Sequence, residues 1–143
     1  MILISKQIQQ IYTDVYPDME QYYAMPFSEE FYVPNFQEEI WPMYLKHSVK
    51  GISHIKNIRD CEKRAWKVVS DMQWQWGMQA EDMPEDKRIT RSIGWLMGLK
   101  MPFGTPHTII TTYSDLGIRN IEPLTNMIDE VDINKFNALL LVM

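Results

Sequence analysis

Four prolines, Pro17, Pro26, Pro34 and Pro42, interrupt the stretch YPDMEQYYAMPFSEEFYVPNFQEEIWPMY at intervals of eight or nine residues. Each removes a backbone donor and biases the preceding residue away from the helical region, which restricts the segment to short helical turns and extended pieces. The same stretch is strongly aromatic. Its spacing predicts an irregular arm over 17–45 with Tyr22, Phe27, Phe31 and Trp41 as candidate anchors, packed on a partner or folded back on the chain's own core. Asn35 followed by Glu38 reads as a helix N-cap with its capping-box partner.

Around the arm the periodicity is helical. Ile4, Ile8, Ile11 and Val15 have 4,3,4 spacing and stop at Pro17, predicting a first amphipathic helix. Within 53–76, Ile58, Cys61, Ala65, Val68, Val69, Met72 and Trp76 share one face, with Ser53 as the expected N-cap. MPEDKR suits the start of a helix running from about Pro84 to Leu99, since its acids precede its bases. Asn120, Glu122 and Pro123 open a further helix through Val131, and Asp132 caps a last one over 133–142. PHTIITTYSD is rich in β-branched residues but has no visible strand partner. The expected fold is therefore mostly α: about five helices in a single domain, 1–143, with at most one short strand near 108–113.

The length suits one domain with a real core. Eleven methionines and seventeen aromatics, five of them Trp, fit a Met-filled core better than an adaptable interface. One cysteine, Cys61, excludes an internal disulfide and favours a reducing compartment. The N-terminus lacks the pattern of a signal peptide, and no run approaches the ~20 apolar residues of a spanning helix. The expected location is host cytoplasm or a virion.

Net charge is −5, but it is unevenly spread. Residues 1–45 hold seven carboxylates and one Lys, whereas 46–67 hold seven bases against Asp60 and Glu62. Lys56, Arg59, Lys63 and Lys67 follow the 3,4,4 spacing of one helical face. Such a stripe attracts phosphate or an acidic partner, or is simply solvated and paired with the chain's acidic flanks; the second reading is the more economical.

No residue set shows a motif for chemistry. His47, His54 and Cys61 recur every seven residues, but that spacing spans about 10.5 Å on a helix, too far for one zinc ion. Cys61 has basic neighbours in sequence, yet its place on an apolar helical face marks an inert buried thiol. Adjacent carboxylates such as Glu38/Glu39 diverge in space. Gly94, Gly98 and Gly104 match no phosphate loop; an anion pocket of Arg88, Arg91 and His107 around Gly104 has no motif behind it. No catalytic, cofactor-binding or metal-binding residue is assigned, and no cofactor is expected.

The apolar run Ile93–Phe103 is too short to cross a membrane. Gly94 and Gly98, one turn apart, predict a helix-packing seam that offsets a cost of about 1 kcal/mol per mid-helix glycine. The segment RITRSIGWLMGLKMPFGTP, residues 88–106, resembles the Gly-punctuated apolar segments near the ends of large internal or injected virion proteins of tailed phages. That resemblance implies a role in assembly or injection, transfers no catalytic residue, and allows Met1 to be internal to a longer product. The expected function is a non-enzymatic structural or interaction protein, binding protein partners or further copies of itself through the aromatic arm and the apolar C-terminus. The rivals are an anion- or nucleic-acid-binding helical module and a small enzyme whose site assembles only in three dimensions, around His107 or His47.

Overall fold

The computed structural model of the chain describes residues 1–19, 23–24, 30–53, 55, 60–85 and 88–143. Tyr22, Phe27, His54, Lys56 and Arg59 lie outside the described residues. The helical expectation is overturned, because the protein is mixed α/β with two sheets. In chain order the elements are β1 (Ile2–Ile4), α1 (Ser5–Val15), β2 (Tyr23–Ala24), β3 (Glu30–Tyr32), α2 (Trp41–His47), α3 (Cys61–Gln79), β4 (Thr90–Arg91), β5 (Ile93–Lys100), β6 (Thr105–Ser114), β7 (Gly117–Ile121) and β8 (Phe136–Val142).

The larger sheet has the order β2-β8-β5-β6-β7, and the smaller one β1-β3-β4. The β5–β6 and β6–β7 pairs are antiparallel neighbours, whereas β8 returns from the end of the chain to lie beside β5. Both faces of the large sheet are covered. On one side Ile93, Ile110 and Ile121 pack with Val68, Val69 and Met72 of α3 and Tyr44 of α2. On the other, Leu96, Ile109 and Leu141 meet Ile8 and Tyr12 of α1.

Double-sided burial explains why the sequence misleads. A strand covered on both faces loses its polar alternation and reads as a continuous apolar run, which periodicity does not separate from a buried helix. The predicted helix 84–99 is instead largely β4 and β5, and the predicted terminal helix 133–142 is a single 3-10 turn, Ile133–Lys135, followed by β8. The predicted 120–131 helix is the end of β7 and a looped connection. PHTIITTYSD is indeed a strand, partnered by β5, whose pattern suggests a helix, and by β7.

Local signals fared better. α1 ends beside Pro17 as its spacing requires, and Asn35 Oδ1 accepts from the Glu38 amide at 2.8 Å. The reciprocal bond comes from Glu39 rather than Glu38, with the Asn35 amide donating to Glu39 Oε2 at 2.7 Å. The described part of the arm folds back on the chain's own core: Phe31 is buried, and Trp41 stacks between Phe36 and Tyr44.

Gly94 and Gly98 form no helix seam. They mark a close approach of strands, because a Cβ on Gly94 would collide with the Val142 carbonyl oxygen and one on Gly98 with that of Asn137. The pairing of β5 with β8 shifts register between Met97 and Gly98.

Candidate active site

Helix α3 begins at Cys61, seven residues later than an N-cap at Ser53 sets it. Asp60 is the N-cap, its Oδ1 accepting from the Lys63 amide at 3.2 Å. Cys61 therefore occupies the first position of a 19-residue helix, where the dipole favours a negative charge. Arg64, one turn on, is buried and donates to the carbonyls of Val49 and Ile52, which fastens the preceding connection against the helix start.

α3 packs across β5 and β6. This brings Cys61 to His107, the third residue of β6, and to Thr108 beside it. His107 Nε2 lies 2.5 Å from Glu122 Oε2, and the two side chains keep only 9% and 5% of their exposure. With Nε2 engaged by the carboxylate, Nδ1 is the ring nitrogen left for Cys61. Phe136 meets the His107 ring edge to face at 6.5 Å, helping to fix its plane.

Glu122 follows β7 directly. Its Oε1 accepts from the Leu124 amide at 3.3 Å, and its carbonyl accepts from the Asn126 amide at 2.8 Å. Asn126 adopts φ 61°, a left-handed conformation that Asn tolerates, and its Oδ1 accepts from the hydroxyls of Tyr44 and Ser48. The loop that carries the carboxylate is thus pinned to α2 and its C-terminal end.

The electrostatics are those of an activated thiol. Burial opposes ionisation of Cys61, but hydrogen bonding with His107 and with the Thr108 amide and hydroxyl, together with the imidazolium charge, brings the thiol below its ordinary value. Burial likewise disfavours charge on His107, yet the bonds to Cys61 and Glu122 and the Glu122 charge lift it to about 9. The two shifts favour thiolate and imidazolium together, with Glu122 as the group that orients the ring. A cavity of about 380 Å³ opens beside His107 and Glu122, bordered also by Lys100, Met101, Leu124 and Lys135.

Other candidate groups are not brought together. Lys63 pairs with Asp60 at 3.6 Å and Lys67 with Asp71 at 2.5 Å, so the described half of the basic stripe is matched by local acids. His47 Nε2 meets Gln75 Oε1 at 2.8 Å, and it is His107 that partners Cys61. Arg88 holds the carbonyls of Met83 and Glu81, and Arg91 pairs with Glu39 while lying 4.5 Å over the Trp76 ring, so neither joins His107 in an anion pocket. Among the described residues no group of three or more His, Cys, Asp or Glu is disposed as a metal site, and no helix is long and apolar enough to cross a membrane.

The sequence alone marks Cys61 as inert because it places the thiol on the apolar face of a helix opened by Ser53, whereas Asp60 opens the helix. The missed signal is Asp-Cys opening a helical run, with Asp as N-cap and the thiol at the positive end of the dipole.

No family model matches the chain, and no curated protein matches it by sequence. Its fold does have solved counterparts. A Polyporus squamosus lectin, in complex with the human-type influenza-binding epitope Neu5Aca2-6Galb1-4GlcNAc, superposes with a TM-score of 0.77 at 12% identity, over 99% of this chain and 49% of that one. A PSL1a–E64 complex gives 0.76 at 12% identity, over 99% and 50%. The chain spans about half the length of these structures, and at that identity the likeness is one of fold. A mixed α/β fold shared with them replaces the expected helical one, and no comparison supports a role in virion assembly.

Proposed function

We propose that the protein is a thiol-dependent acyl hydrolase acting on peptide bonds, with Cys61 as nucleophile, His107 as general acid and base, and Glu122 as the residue that orients His107. The observation that carries this reading is the chain of contacts Cys61–His107–Glu122, with Cys61 at the start of a long helix and with His107 and Glu122 bordering a cleft.

The chemistry follows from the arrangement. The Cys61 thiolate attacks the carbonyl carbon of the substrate, forming a C–S bond as negative charge moves to the oxygen. The Cys61 amide, first in its helix, has no intrahelical acceptor and is suited to meet that charge. Collapse of the intermediate breaks the C–N bond while His107 transfers its Nδ1 proton to the departing amine. Water, losing a proton to His107, then cleaves the thioester, releasing the acid and restoring thiolate and imidazolium.

Two measurements test the reading. Incubation with iodoacetamide or with E64, followed by intact mass and peptide mapping, is expected to give a single adduct on Cys61, formed at least about tenfold faster at pH 7 than on a free thiol. Hydrolysis of a fluorogenic peptide mixture should vanish in Cys61→Ala and in His107→Ala. Undiminished hydrolysis in Cys61→Ala would overturn the assignment.

A further inference from the structure

Thr108 follows His107 on β6 and is buried, yet it takes no part in the proton transfers among Cys61, His107 and water. Successive strand residues point to opposite faces, so Thr108 shares its face with Ile110. Ile110 packs in the apolar layer that holds Ala65 and Val68, which makes this the face that α3 covers. Helix and strand advance in the same sense. Further along α3, Gln73 Nε2 donates to the Arg91 carbonyl, close to Ile93, and Ile93 pairs with Thr112. Cys61 lies one turn before Ala65, about 6 Å along the helix, and Thr108 lies two residues before Ile110, about 7 Å along the strand. These matched steps bring the helix start and Thr108 to the same level.

The pairing of β6 with β7 ends at Ile110 and Ile121, whereas its pairing with β5 continues to Thr105. From 105 to 109 the strand therefore has β5 on one edge and no β7 residue on the other. Here the Thr108 amide and hydroxyl both donate to the Cys61 sulfur.

We propose that Thr108 is a positioning residue, its amide and hydroxyl forming a two-donor cradle that holds the Cys61 sulfur as a thiolate by bonds separate from the one to His107. This rests on the thiol-hydrolase reading and adds a residue to it. Before attack, the two donors fix the Cys61 side chain and favour its charged form. When water cleaves the thioester, the C–S bond breaks and its electron pair returns to sulfur, while His107 holds the proton taken from water. The cradle meets the charge that develops on the departing sulfur.

Charged groups surround the sulfur from several elements. His107 is backed by Glu122 after β7, and Lys100 at the end of β5 is near enough to oppose protonation of the ring. On α3 itself are Glu62, the Asp60–Lys63 pair and the buried Arg64. Thr108 is neutral, so replacing it leaves every one of these charges in place, and a changed titration of the thiol then reports the hydrogen bond.

Thr108→Val keeps the shape of the side chain and removes its donor. Cys61 alkylation by iodoacetamide and kcat/KM on a fluorogenic peptide are followed across pH in the full chain. The acid limb of both profiles should move up by about one unit, so that a rate read on that limb falls about tenfold. The alkaline limb should stay at about 9, because His107 and Glu122 are untouched. Thr108→Ser and Thr108→Ala lose the same methyl group and differ in the hydroxyl, which gives the same comparison where the Val variant fails to fold. Ser should keep the parent's acid limb and Ala should lose it. An acid limb shared by Val and parent, or by Ser and Ala, overturns the role of Thr108, while hydrolysis that still requires Cys61 leaves the hydrolase standing. No hydrolysis by the parent, with Cys61 alkylated at the rate and pH dependence of a free thiol, removes the hydrolase and the cradle together.

Discussion

At the scale of single residues, the site depends on how three side chains share two protons. Hydrolysis needs the Cys61 thiolate and the His107 proton together, so activity should rise through the lowered thiol value and fall as pH passes about 9, where His107 loses its charge. Glu122→Gln removes a negative charge and a charged hydrogen bond that both favour imidazolium. The alkaline limb should then move to lower pH, by about one unit or more, a shift readable in a pH profile of kcat/KM. An alkaline limb that stays in place would show that Glu122 does not govern His107. Cys61 illustrates the limit of reading residue by residue: its basic sequence neighbours pointed to activation, but the groups that matter are His107 and Thr108, 46 and 47 positions further along.

At the scale of elements, the β5–β8 pair supports the cleft, since Lys100 and Phe136 end it on the side of His107. Gly98→Ala introduces a methyl group where the Asn137 carbonyl sits, with Ala138 Cα also 2.8 Å away. The expected loss is about 2–3 kcal/mol, seen as a melting temperature lower by roughly 5–10 °C. Gly77→Ala is the counterpart: this glycine lies inside α3 with nothing within 4 Å of its would-be Cβ, so the substitution should stabilise by up to about 1 kcal/mol. Thermal unfolding of the two variants checks both signs. Gly94 and Gly98 are places where backbone comes close, as their spacing in the sequence suggests. The sequence alone does not tell a helix seam from a strand pair there, because a four-residue spacing keeps residues on one face in a strand as well as in a helix.

For the whole molecule, stability rests on one sheet held between two apolar layers. Across one interface, the buried Tyr12 hydroxyl shares a hydrogen bond of 2.8 Å with Thr111 Oγ1, and Tyr16 accepts from Asn120 Nδ2 at 3.0 Å. Tyr12→Phe leaves the Thr111 hydroxyl buried with one partner fewer and should cost about 1–2 kcal/mol in denaturant unfolding. A midpoint equal to that of the parent would show that the bond contributes nothing net. The amino-acid sequence by itself determined the features written in short range: α1 and its stop at Pro17, the Asn35 cap, the apolar face of α3, and the lone thiol. Only the tertiary structure decided that the apolar runs 93–100 and 136–142 are strands, because burial on both faces erases the alternation that marks a strand in sequence. It alone made a site of Cys61, His107 and Glu122. Their meeting depends on a helix packing across a sheet and on a hairpin bringing β7 beside β6, contacts between segments that no local spacing encodes.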